Sequence, residues 1–206
     1  ALSTGVTIVG ALAANTLIGG SGADTIDGGG GADVVSAGAG ADHVAYHGGE
    51  VSIDGGAGAD TLTLAAGGVS SVDFSVASGL DQTGGDSVAV TNFENLDASV
   101  LTTAIAVTGS ASANTNLTGS GDDVIDGKGG GDVIATGDGA DTIRYYGAEV
   151  SIDGGTGVNT LVMQTAGVVN LANLDQTTGD GVTVSNFQNV DASALATAVS
   201  ITGSTG

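Results

Sequence analysis

Gly10 to Thr63 reads as six consecutive nine-residue words: GALAANTLI, GGSGADTID, GGGGADVVS, AGAGADHVA, YHGGEVSID and GGAGADTLT. The phrasing returns from Gly109 to Val162 as GSASANTNL, TGSGDDVID, GKGGGDVIA, TGDGADTIR, YYGAEVSID and GGTGVNTLV. Within a word the fourth letter is mostly Gly, the sixth mostly Asp and the eighth mostly aliphatic. The glycines permit the positive φ values and close backbone approach of a tight, oxygen-lined turn. The last three letters form a minimal strand whose middle residue points inward while its neighbours point out.

That alternation predicts an inward set of Leu17, Ile26, Val35, Val44, Ile53 and Leu62 in the first array. Ile125, Ile134, Ile143, Ile152 and Leu161 follow in the second. One inward residue per word makes a thin core, too small to offset the ordering cost of so much Gly. Something other than apolar burial has to hold the turns.

The words match the nonapeptide G-G-x-G-x-D-x-U-x, with U a large aliphatic residue, that marks calcium-binding parallel β-helices. The two arrays, about half the chain, therefore resemble the RTX (repeats-in-toxin) β-rolls of secreted bacterial proteins. The resemblance implies an all-β fold, a right-handed parallel β-roll or β-helix solenoid, here as two tandem units with wider spacer coils. It also implies Ca2+, an ion that takes six to eight hard oxygen ligands of the kind a Gly-rich turn with carboxylates supplies.

In that family two words make one coil, so words two apart stack on one edge and share an ion. Carried over to this chain, Asp24, Asp42 and Asp60 line one edge of the first array, with Asn15 and Asp33 beginning the other. In the second array Asp123 and Asp141 form the best pair, with Asn114 and Asp132 opposite and Asn159 as a weaker continuation. The fifth word of each array has Val51 or Val150 at the sixth letter. Either no ion binds at that edge, or Glu50 and Glu149 substitute one letter early.

Composition agrees with an ion-dependent fold. The 206 residues carry 23 acidic side chains against Lys128 and Arg144 alone, a formal charge of −21, and such self-repulsion opposes compaction unless counterions bind. High charge with few aromatics would by itself indicate disorder, but a hydrophobic fraction of 41% is too high for a solvated polyanion.

A longer repeat encloses the short one. LDQTGGDSVAVTNFENLDAS from Leu80 recurs as LDQTTGDGVTVSNFQNVDAS from Leu174, and ALSTGVTIVG, VLTTAIAVTG and ALATAVSITG are one phrase in three copies. The units are accordingly 1–99, 100–193, and the start of a third over 194–206, which suggests a segment of a longer array. The spacers alternate as strands do, without capped helical patterns, and are expected to continue the solenoid as wider, calcium-poor coils. Phe93 and Phe187 read as inward packing residues, and Asn92, Asn95, Asn186 and Asn189 as side-chain ladders. Asp81, Asp86, Asp175 and Asp180 read as turn residues, with an extra cation in that loop as the alternative.

No catalytic pattern stands out. His43 and His47 are replaced in the second copy by Thr142 and Tyr146, Cys is absent, and no G-x-S-x-G, H-E-x-x-H or phosphate-loop pattern occurs. The chain is expected not to be an enzyme. The charge disfavours nucleic acid, and no apolar run is long enough for a membrane span, nor does a signal peptide open the chain.

The resemblance implies export by type I secretion and folding in external calcium, hence a secreted protein at the bacterial cell surface. The spacers look most like those of S-layer proteins, adhesins and biofilm-matrix or filament components. The favoured expectation is a structural, calcium-rigidified segment that self-associates or stacks on neighbouring repeats of the same protein. The alternative is a calcium-triggered folding and secretion module of an RTX enzyme or toxin.

Overall fold

Each x-U-x triplet becomes a short strand, and strands from alternate words stack. The computed structural model describes residues 3–65 and 67–204. Ala1, Leu2, Ala66, Thr205 and Gly206, and with them the outer limits drawn for the first unit and the third-unit phrase, lie outside the described residues. The described residues contain no helix, and none therefore long and apolar enough to cross a membrane.

In the first unit Thr7–Val9, Thr25–Asp27, His43–Tyr46, Thr61–Leu64 and Asn95–Asp97 form one parallel stack. Thr16–Gly20, Val34–Gly40, Ser52–Gly58 and Ala89–Thr91 form the other. The register puts Ile8, Ile26, Val44, Leu62 and Leu96 in one column and Leu17, Val35, Ile53 and Val90 in the second. Two words thus make one coil, with its apolar residues facing inward.

The second unit repeats the plan. Ala106–Thr108, Val124–Asp126, Thr142–Tyr145, Thr160–Met163 and Asn189–Asp191 stack in parallel. So do Thr115–Leu117, Val133–Ala135, Ser151–Asp153 and Thr183–Ser185. All of the expected inward residues are buried except Leu17, which is half-buried. Asn116 is the exception to the column rule: it takes the eighth letter in register with Ile134, fully buried, and neither of its amide atoms has a hydrogen-bond partner. Nothing in the structure explains it.

The spacers return to the stacks, but not as simple wide coils. Between leaving and rejoining, each folds back on itself: Ser71–Asp73 pairs antiparallel with Thr83–Gly84, and Val168–Asn170 with Thr177–Thr178. The local antiparallel pair satisfies part of each excursion's backbone N–H and C=O groups.

Two repeated side-chain tethers then fix each excursion. The Gln82 amide bonds both the N–H and the C=O of Phe93 (2.8 and 2.9 Å), and Gln176 does the same for Phe187 (2.8 Å each). The buried Tyr46 hydroxyl donates to Asp86 Oδ2 at 2.6 Å, and Tyr145 to Asp180 Oδ2 at 2.5 Å. Burial and these acidic partners push both phenols well above their ordinary pKa.

Phe93 and Phe187 are core residues, as expected. The asparagines are not stacked ladders. Asn92 and Asn186 adopt left-handed conformations (φ 59° and 64°) and donate to Asp54 and Asp153 across the turn, a conformation Asn tolerates better than most residues.

The chain divides into two compact units at Leu101 and Thr102, close to the boundary at which its phrasing repeats. The phrase from Ala194 is not a separate body: its strand Ser200–Thr202 pairs with Val168–Asn170 of the second unit.

Candidate metal sites

The sixth-letter Asp of a word sits where the turn of one coil meets the next, and its side chain serves as a rung. Asp24 Oδ1 accepts from Val6 N–H (2.9 Å), Asp42 Oδ1 from Asp24 N–H (2.7 Å) and Asp60 Oδ1 from Asp42 N–H (2.8 Å). On the opposite edge Asp33 Oδ1 accepts from Asn15 N–H at 2.8 Å. The second unit repeats this: Asp123 accepts from Ile105, Asp132 from Asn114 and Asp141 from Asp123, all at 2.8–2.9 Å. Each rung spans 18 residues, one coil, so the structure brings together the same edge sets that the word spacing groups.

At Asp24, Asp33, Asp60 and Asp132 a glycine at the first letter makes room for the carboxylate. A Cβ added at Gly28 would lie 2.5 Å from Asp33 Oδ2; one at Gly19 would lie 2.4 Å from Asp24 Oδ2 and 2.1 Å from the Ala37 carbonyl oxygen of the next coil. At the second letter, Gly38 holds φ 114°, a region that L side chains rarely adopt.

One oxygen of each carboxylate is thus used by the ladder. The second is buried without a hydrogen-bond partner in Asp33, Asp42, Asp60, Asp123, Asp132 and Asp141. Asp24 differs, because its Oδ2 accepts from Gly20 N–H at 2.7 Å. A buried, unpartnered carboxylate oxygen costs free energy unless a cation or proton meets it. Without a cation, burial pushes Asp60 and Asp132 up to about 6, and raises Asp123 and Asp141 in the same direction.

A hard cation answers better. The donors are carboxylate oxygens beside backbone carbonyls in a glycine-lined cradle, the ligand chemistry of Ca2+. Among the described residues no three His, Cys, Asp or Glu side chains cluster as a metal site, so backbone carbonyls would have to complete the shell.

A family model of the RTX calcium-binding nonapeptide repeat matches in four copies, over residues 9–44, 48–68 and 108–145. The matched stretches are RTX calcium-binding nonapeptide repeats. No curated protein matches the chain. The buried Oδ2 atoms of the RTX words are the atoms that would hold Ca2+, and the bound ion would supply the positive charge that the turns lack.

The remaining sequence expectations divide. Asn15 and Asn114 turn an oxygen toward the turn, where Oδ1 accepts from Ala11 N–H (2.6 Å) and Ser110 N–H (2.7 Å). Asn159 does not continue the edge as an oxygen ligand. Its Oδ1 is held by Asp141 N–H at 3.0 Å, so its Nδ2 faces the turn and donates to the carbonyls of Gly154 and Asn186.

At the fifth words Val51 and Val150 are exposed while Glu50 and Glu149 are buried. Glu50 accepts from His47 and Gly48 N–H (2.7 and 2.8 Å), and Glu149 from Tyr146, Gly147 and Ala148 N–H. Both oxygens of each glutamate are taken by backbone donors of its own turn. These turns carry their own anion, which favours the alternative without an ion at that edge.

Sequence reading missed the residues that end the ladders. Glu94 Oε2 accepts from Asp60 N–H (2.8 Å), and Gln188 Oε1 from Asn159 N–H (2.7 Å). Their common place in NFEN and NFQN was the available signal. Asp81 Oδ1 and Asp175 Oδ1 accept from Val90 and Val184 N–H (3.1 Å each), which, with the tyrosine tethers, assigns that loop to turn chemistry.

His47 Nε2 lies 2.8 Å from Asp27 Oδ1, a contact that holds the Asp27 carboxyl below its usual range. In the second unit Tyr146 OH donates to Asp126 Oδ1 at 2.9 Å in the same place. Histidine and tyrosine thus do one structural job. Lys128 and Arg144, the only Lys or Arg, both approach Asp126 Oδ2, at 3.0 and 3.4 Å.

Proposed function

We propose that this chain is a calcium-rigidified structural segment of a secreted bacterial cell-surface or extracellular-matrix protein, of the S-layer, adhesin or filament kind, with no active site of its own. RTX repeats are a feature of secreted bacterial proteins. Extracellular calcium modules work at about 10⁻⁴–10⁻³ M, so external calcium suits such turns.

One observation carries the structural reading. The whole unit is duplicated with its rungs and tethers intact, while the groups that could do chemistry vary. Gln82 and Gln176, Tyr46 and Tyr145, and Glu50 and Glu149 make corresponding bonds in the two units. His43 and His47 become Thr142 and Tyr146. A catalytic site would keep its reactive groups and let its supports drift, the reverse of this pattern. Repeat arrays whose units contact their neighbours make extended objects.

Small-angle scattering in calcium tests the reading. The expected result is an elongated particle whose longest dimension grows about linearly as units are added. A length unchanged by an added unit would refute it.

A further inference from the structure

Asp60 and Asn159 occupy the same letter of the sixth word in the two units, and the residues around them correspond one to one: Gly55 with Gly154, Asn92 with Asn186, Glu94 with Gln188. Both side chains hold the same rung, accepting through Oδ1 from Asp42 N–H at 2.8 Å and from Asp141 N–H at 3.0 Å. The second atom of each points into the same space. A Cβ at Gly55 would lie 3.1 Å from Asp60 Oδ2 and 2.3 Å from the Asn92 carbonyl oxygen; one at Gly154 would lie 3.1 Å from Asn159 Nδ2 and 2.8 Å from the Asn186 carbonyl oxygen.

What fills that space differs. In the second unit Asn159 Nδ2 donates to the Gly154 and Asn186 carbonyls, so two N–H bonds close the turn. In the first unit the equivalent atom, Asp60 Oδ2, is an acceptor, fully buried and without a partner. An acceptor beside a carbonyl oxygen needs a positive centre between them. The charges agree. Asp60 with Glu94 brings two negative charges to this turn, matching a divalent cation, whereas Asn159 with Gln188 brings none.

We infer that the first unit binds one calcium ion between array and spacer, against Asp60 Oδ2 and the Asn92 carbonyl, and that the Asn159 amide takes the place of that ion in the second unit. This rests on the reading of the buried Oδ2 atoms as calcium ligands. It adds a spacer carbonyl to the ligands and predicts unequal ion counts for turns of equal shape.

Ion counting by native mass spectrometry and equilibrium dialysis on the whole chain in saturating calcium tests it. Asp60→Asn, which keeps the Oδ1 rung and supplies the two N–H bonds, should lose one ion per chain. Asn159→Asp should gain one, more completely when combined with Gln188→Glu. Circular dichroism in calcium should match the parent protein for each variant; if the Asn159 variants fail to fold, Asp60→Asn decides alone. An unchanged count in Asp60→Asn, or in a folded Asn159→Asp/Gln188→Glu chain, overturns the inference. A parent chain that binds no calcium would overturn the underlying ligand reading instead.

Discussion

Asp42→Ala is the most informative single perturbation of the ladder, because Asp42 is bonded on both sides. Its Oδ1 accepts from Asp24 N–H at 2.7 Å, its own N–H donates to Asp60 Oδ1 at 2.8 Å, and its Oδ2 is buried without a partner. Alanine strands the buried Asp24 N–H, at a cost of about 1–3 kcal/mol. For a unit of about 100 residues that is a fall in melting temperature of roughly 4–8 °C per kcal/mol. Alanine also removes an oxygen shared between successive turns, which should weaken calcium binding at least about tenfold, since even supporting residues around metal ligands have effects of that size. Asp42→Asn separates the two effects: its Oδ1 still accepts from Asp24, so it should lose the calcium affinity while keeping most of the ladder's stability. Asp73→Ala is the control, because the Asp73 side chain accepts from the Ser75 N–H and hydroxyl within its own turn, and should shift stability by no more than about 0.5 kcal/mol. Calorimetric calcium titration and thermal melts in saturating calcium provide both readouts. If Asp42→Ala and Asp73→Ala lose calcium affinity equally, the assigned register is wrong.

Calcium should control folding of the arrays, so circular dichroism in EGTA should lack most of the β signal that returns on titrating calcium; an equally β-rich spectrum without calcium would contradict this. The calcium-free chain should become more stable as pH falls. Asp60 and Asp132 rise to about 6 in the folded state from 3.8, so the folded state holds protons more tightly. The stability they contribute is full below pH 3.8 and is lost as pH rises through about 6. With calcium present the sign reverses, because protons then displace the ion: the β signal in EGTA should rise as pH falls, by circular dichroism, whereas denaturant midpoints in calcium should fall. Gln82→Ala removes both bonds to the Phe93 backbone and should destabilise the first unit by about 2–3 kcal/mol with little change in calcium affinity, seen by comparing denaturant midpoints with calcium titrations.

The periodicity made the arrays legible because it is written in three letters, each with one physical job. Gly at the first letter is needed where a Cβ would strike Asp33 or Asp24, Asp at the sixth spans one coil, and an aliphatic at the eighth enters the column. The spacers were less legible because their contacts are long-range and made by side chains that look ordinary in sequence. Nothing local marks Tyr46 as the partner of Asp86, or Gln82 as the residue that satisfies the Phe93 backbone. Asn159 misled for another reason. Aspartate and asparagine share the rung oxygen, and only the fold shows which atom is left to face the turn.

The two units contain turns closed in two ways, and the difference locates the calcium dependence. Turns at Glu50 and Glu149 surround their carboxylate with N–H donors, and the turn at Asn159 offers N–H to its carbonyls; each is complete in donors and acceptors. Turns at Asp33, Asp42, Asp60, Asp123, Asp132 and Asp141 carry a surplus acceptor. With two basic residues in the whole chain, both gathered at Asp126, no side-chain cation can reach these turns to cancel the surplus. The deficit is therefore built into the array, whereas the spacer carboxylates of Asp81, Asp86, Asp175 and Asp180 each meet an N–H or O–H donor. Calcium must act turn by turn along the arrays, and substituting a spacer tether should alter stability without altering the number of ions bound.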